Sequence, residues 1–247
     1  IFQGIPWRII FCAEWEVIPM INLLKAEYYK LLHKQSFLGL LFFSLALGSL
    51  LLTDSKNTTS DLVKGSLYNL PQIYFISILF AALFIGEDFE NRTISAFISA
   101  GHKRGDVFFA KALSYLTAST ALLAVPVLFH SAAAAILGKT AILSLSNMLT
   151  LFMAVPAMGM LPLVCGFIFR DIGRTLGVPI VLYFIMIFLL NGDSARKTAV
   201  FLPMGQLRLL ALNDLPVSKL ILIGIDLLWT ALLYAAAYGS FCHSDLD

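Results

Sequence analysis

Long apolar runs separated by short polar stretches set the pattern of this chain. Six segments, 36–52, 67–85, 108–129, 144–169, 176–190 and 217–240, approach the roughly 20 residues that a helix needs to cross a bilayer core. The first and fifth are short as pure apolar runs and each borrows a turn from its flanks. None shows the strict alternation of barrel strands, and backbone polar groups cannot go unpaired in lipid, so helices are required. Ahead of the first run, residues 20–35 place Ile21, Leu23, Leu24, Tyr28, Leu31 and Leu32 at helical spacing. Lys25, Lys30, His33 and Lys34 fill much of the remainder. That pattern predicts an amphipathic helix on a membrane surface, leading into the first span. The expected fold is therefore an all-α integral membrane protein: six transmembrane helices preceded by an N-terminal amphipathic surface helix.

Composition sharpens this picture. Of 247 residues, 59% are hydrophobic and 13% charged, with mean hydropathy +0.86. A soluble domain carries about 25% charged residues, so this chain lacks the polar surface to stand in water. The same numbers exclude disorder, a coiled coil and a collagen-like rod. A net charge of +2 argues against nucleic acid as a partner. Cys12, Cys165 and Cys242 are far apart with no CxxC, and four scattered histidines form no ligand pair, so neither a disulfide framework nor a metal site is expected. Residues 1–19 mix Trp7, Arg8, Glu14 and Trp15 without a clear period. They read as a non-native or upstream extension, with 20–247 forming one six-span domain.

The lysines of 20–35 favour the cytoplasmic face, where anionic lipid and the positive-inside bias place them. From Met20 on, nine Lys/Arg fall inside and seven outside, and the inside ones crowd against span ends. Six spans then put both termini in the cytoplasm. The Asn57-Thr58-Thr59 sequon would face outward as an ordinary polar turn. Pro126, Pro156, Pro162 and Pro179 lie within spans and predict bends. Gly39, Gly48, Gly159, Gly166 and the stretch Ala231–Ala237 would allow close helix approach, within the chain or across a dimer.

The segment 85–113 is the densest charged stretch, with Glu87, Asp88, Glu90, Arg92, His102, Lys103, Arg104, Asp106 and Lys111. Thr93 to Ala100 suits a short helix that Gly101 can end, and Arg104 begins the climb into the third span. Two readings stand side by side: a solvated loop that anchors helices, or a short surface helix that docks a soluble partner.

A surface helix, six spans and this loop resemble the permease subunits of ABC-2 type transporters, nearest the short permeases of bacitracin and lantibiotic self-immunity. The matching positions are Glu87, Asp88, Glu90, Thr93, Ser99, Gly101, Arg104 and Lys111, and the ending FCHSDLD is similar to the family's short tail. One position departs: the family usually carries Gly before the Thr, where Arg92 stands here. The resemblance implies a permease of a bacterial cell membrane, paired with separate ATP-binding cassette ATPase subunits and a second permease subunit, as homo- or heterodimer. Its partners would also include membrane lipid and a peptide substrate. The loop residues, with Arg92, would form the ATPase-coupling element. No cofactor is implied. The residues agree in one respect: the nearest approach to a phosphate loop, Gly138-Lys139-Thr140, has Ala133 where the first glycine belongs.

Asp226 sits within ILIGIDLLWTALLY, where a charge costs ~2.5–3.5 kcal/mol or more. It is either a carboxylate on the transport path or a structural one paired with Ser, Thr or Arg208. Leu202, Leu207, Leu209, Leu210 and Leu212 with Arg208 suggest a short helix starting near Pro203 and resting on the bilayer surface. An intramembrane enzyme needs paired acids or acid–histidine sets within spans, and none is present. A non-transporting membrane sensor or assembly protein stays open, as do drug, ion or glycan substrates.

Overall fold

The computed structural model describes residues 7–54, 61–138, 145–192 and 195–243, and every element within them is helical. The sequon at 57–59, Lys139 and Thr140, residue 144 at the start of the fourth run, and 244–247 of the tail lie outside the described residues, as do 1–6. Helix α1 (Trp7–His33) begins well ahead of residue 20, so the stretch that lacked a clear period is helical from Trp7. Helix α2 (Gln35–Asp54) follows after Lys34 and matches the first apolar run.

The second run does not form one straight helix. It is built from α3 (Leu62–Ile73), α4 (Phe75–Ala81), a π turn (Ala82–Gly86) and α5 (Glu87–Glu90), and is bent by 45° at Tyr74. Pro71 lies inside α3, three residues before the bend, and deprives Leu67 O of its helical donor. Neighbouring helices tie down the break. Tyr74 Oη donates to Met158 O at 2.8 Å and Tyr183 Oη donates to Gln72 O at 3.3 Å.

Helix α6 (Thr93–Ser99) is short, and α7 (Arg104–Ile136), α8 (Leu145–Phe169), α9 (Ile172–Asn191) and α12 (Lys219–Cys242) are long and apolar. Among the described residues, five continuous helices are long and apolar enough to cross a membrane, or six if the bent pair is one span. Pro126, Pro156, Pro162 and Pro179 lie inside α7, α8 and α9 without ending them.

Helices α3, α4, α7 and α8 form the centre, with Phe80, Phe84, Tyr115 and Phe167 fully buried. Close approach occurs where small residues were expected, at three of four glycines. A Cβ on Gly48 would meet Pro126 Cβ at 2.8 Å, one on Gly166 would meet Ile85 Cγ2 at 2.9 Å, and one on Gly159 would meet Ser119 Oγ at 3.2 Å. Gly39 faces open space instead, and of Ala231–Ala237 only Ala237 is fully buried.

One expectation fails clearly. Helix α10 (Ala195–Phe201) and α11 (Pro203–Leu212) do not rest on the surface: Met204, Gln206, Leu207, Leu209 and Leu210 of α11 are buried, and the helix packs on α3 and α8. The leucines that looked like a membrane-hugging stripe spread round the helix and fill a space inside the bundle.

Candidate functional site

Where α1, α5 and α7 meet, six charged side chains gather from three distant parts of the chain. Lys111 on α7 is 2% exposed and donates to Glu27 Oε2 of α1 at 2.6 Å. It also pairs with Asp88 Oδ2 of α5, itself 2% exposed, and lies 4.1 Å from the centre of the Phe84 ring. Lys30 of α1 closes on Asp88 Oδ1, and Lys34 donates to Glu87 Oε2 at 2.6 Å. Lys34 also donates to Leu83 O, a carbonyl within the π turn. A π turn lengthens the hydrogen-bonded ring by one residue and leaves backbone groups needing outside partners, which the lysine supplies here.

Three acids and three lysines make the cluster neutral. Its burial is tolerable because each charge has an opposite one in contact, and removing a single member would strand the others. The expectation that Asp88 and Lys111 belong to an accessible coupling loop is therefore corrected: both are interior, and Lys111 lies in the third span, within the run 108–129. The physical reason is that α5 continues the second span rather than leaving it, so Asp88 faces α7 and not water. Glu27 was not among the expected residues. The signal was legible: it lies at the i, i+4 spacing between Leu23 and Leu31, both buried, so an acid sat on the inward face of α1.

The loop beyond the cluster is held at its base and open at its tip. Arg92 adopts a left-handed conformation, φ 54°, which turns α5 into α6. A Cβ disfavours φ > 0, so glycine would adopt this conformation at lower cost than arginine does. Gly101, φ 95°, ends α6 with two backbone bonds, His102 N to Phe97 O at 3.2 Å and Gly101 N to Ile98 O at 3.0 Å. That pairing is a Schellman cap, as the glycine led one to expect. Ile94 is buried and Phe97 and Ile98 pack against the core, while Ala96, Ser99 and Ala100 are exposed. Thr93 is half-buried at the first position of α6.

Glu90 is exposed, as expected of the loop, Arg104 is half-buried, and both also bond within the protein. Glu90 Oε1 accepts from Ile172 N at 2.8 Å, satisfying an orphan donor at the start of α9 where the helix dipole favours an anion. Gly86 lies against the same turn, with a Cβ there only 3.0 Å from Ile172 Cα. Arg104 Nη1 donates to Cys242 O at 3.3 Å, near the last turn of α12.

Asp226 lies apart from this cluster, in the first half of α12, and is 1% exposed. Arg208 does not pair with it. That guanidinium donates to Tyr68 Oη at 2.6 Å, to Asn191 Oδ1 at 2.9 Å and to Leu190 O at 3.2 Å. Helix α11 is buried against α3, which carries Arg208 to Tyr68. The polar group beside Asp226 is the Gln206 amide, whose Nε2 donates to Val200 O at 3.1 Å. Neither Asp226 oxygen has a hydrogen-bond partner among the described residues. Among those residues, no group of three His, Cys, Asp or Glu could hold a metal ion.

No protein-family model and no curated protein sequence matches the chain.

Proposed function

We propose that this chain is the membrane-spanning permease subunit of an ABC-2 type exporter in a bacterial cell membrane. It would expel an antimicrobial peptide of the lantibiotic or bacitracin type, with ATP hydrolysed by a separate subunit. The observation that carries this reading is the α5–α6 segment. A short helix with a small-residue exposed edge, Ala96, Ser99 and Ala100, stands on a base tied by ion pairs to α1 and α7 and through Glu90 to α9. A soluble partner pressing on α6 would move several spans together, which is what coupling ATP binding to alternating access requires. A second permease subunit would complete the path. Asp226, buried in a long apolar helix beside Gln206 with neither oxygen hydrogen-bonded among the described residues, is the residue we assign to that path. Drug, ion or glycan substrates would use the same architecture.

The test is co-expression with the ATPase encoded beside this frame, identified by GxxxxGK[ST] in its sequence. The wild-type chain should co-purify with it, stimulate its hydrolysis and protect cells against the peptide. Ala96→Trp and Ala100→Trp, on the exposed edge, should abolish stimulation and leave the melting temperature unchanged. Asp226→Asn should assemble and keep stimulation while losing protection. An ATPase that neither binds nor responds, or tryptophan variants with wild-type stimulation, would refute the reading.

A further inference from the structure

At the end of the bundle away from the charge cluster, α7 and α8 diverge and leave a cleft of about 280 Å³. Thr120, Ala124 and Val127 of α7 face Leu151, Phe152 and Val155 of α8 across it, with Leu128, Ser131 and Met148 completing the wall. From Thr120 to Ser131 the cleft follows three turns of α7, about 16 Å of helix. Its lining is apolar except for the two hydroxyls, and Thr120 Oγ1 and Ser131 Oγ are eleven positions apart.

The cleft is open along one side rather than enclosed, and its apolar lining suits a hydrocarbon chain. The cleft also runs without a break into the lipid-facing surface, because Leu128 and Phe152 on its lips are 61% and 65% exposed. At the same end of α8, Lys219 Nζ is held by Asn147 Oδ1, the residue before Met148, which places a cation where an anionic headgroup would sit.

We propose that this cleft holds one acyl chain of a phospholipid from the leaflet opposite the charge cluster, with the headgroup near Lys219. The lipid is a bound component of the fold and fills the gap between α7 and α8. This inference needs only that the spans lie in a bilayer, and is independent of the transport reading.

The experiment counts lipid. The full chain is reconstituted in palmitoyl-oleoyl phosphatidylglycerol vesicles, extracted in mild detergent, washed and weighed intact by native mass spectrometry. The wild type should retain one phospholipid per chain. Ala124→Trp should fill the cleft and lose that lipid, and Ala124→Leu should lower its occupancy severalfold. Leu232→Trp, on the lipid-facing side of α12, should keep it. Melting curves identify a variant that fails to fold, in which case Ala124→Leu alone decides. A wild type that retains no lipid, or Ala124 variants that retain as much as wild type, would overturn the proposal. So would a dimer lost on Ala124→Trp, which would make the cleft a contact between copies.

Discussion

At the scale of single residues, Lys111 carries the heaviest consequence. Replacing it with Met would leave Glu27 and Asp88 buried and adjacent with one cation fewer. Breaking a buried pair in this way costs about 3–5 kcal/mol. Lys111→Met should therefore melt well below wild type in detergent. A double variant, Lys111→Met with Glu27→Leu, should recover part of the loss, because Asp88 keeps Lys30 while Glu27 would otherwise be stranded. Arg92 works in the other direction. Its left-handed φ of 54° is strained for any side chain, and its side chain is exposed. Arg92→Gly should stabilise the protein by about 1 kcal/mol, seen as a higher melting temperature. The sequence made the α6 cap legible, because Gly101 has one conformational advantage and used it. It marked Asp88 and Lys111 as important while misplacing them, since charge in a loop and charge at the foot of a span look alike along a chain. The partner, Glu27, could be found only through its helical phase with Leu23 and Leu31.

Among the elements, the apolar runs predicted where helices lie and not how straight they are. The run at 67–85 is apolar apart from Asn69, Gln72 and Ser77, so periodicity could not reveal a break at Tyr74 or a π turn ending at Gly86. Pro71 lies three residues short of the first, and the turn it perturbs lies before it. The second depends on Lys34 reaching Leu83 O, a tertiary contact with no local sign. Helix α11 was misread for a related reason: four leucines in ten residues suit a bilayer surface and a protein interior equally. Helix α2 offers a controlled comparison of packing. Gly48→Ala would drive a Cβ into the Pro126 ring and should cost about 1–3 kcal/mol. Gly39→Ala, in the same helix with nothing within 4 Å, should be neutral or stabilise slightly through helix propensity. Equal melting temperatures for the two would mean that α2 and α7 are not in close contact.

For the molecule as a whole, the charge cluster and the contact of Arg104 with Cys242 O put the end of α1, the α5–α6 segment and the last turn of α12 at one end of the bundle. In the orientation we propose, the basic residues of 20–35 put that end in the cytoplasm. A green fluorescent protein fused after residue 247 should fluoresce, and alkaline phosphatase fused there should stay inactive. The opposite pair of results would invert the orientation and place the loop beyond reach of any ATPase.

The three-way ion cluster also has a consequence for how the chain is made. Glu27 emerges from the ribosome first and Asp88 well after it, while Lys111 arrives only with α7. Until then Glu27 lacks its cation, and α1 lacks the helix it packs on most extensively. Synthesis halted near residue 103 should therefore yield a short-lived fragment that membrane proteases clear, whereas a halt after α7 should yield one that persists. The lysine acts as a checkpoint in biogenesis: its arrival converts a string of inserted segments into an assembled body.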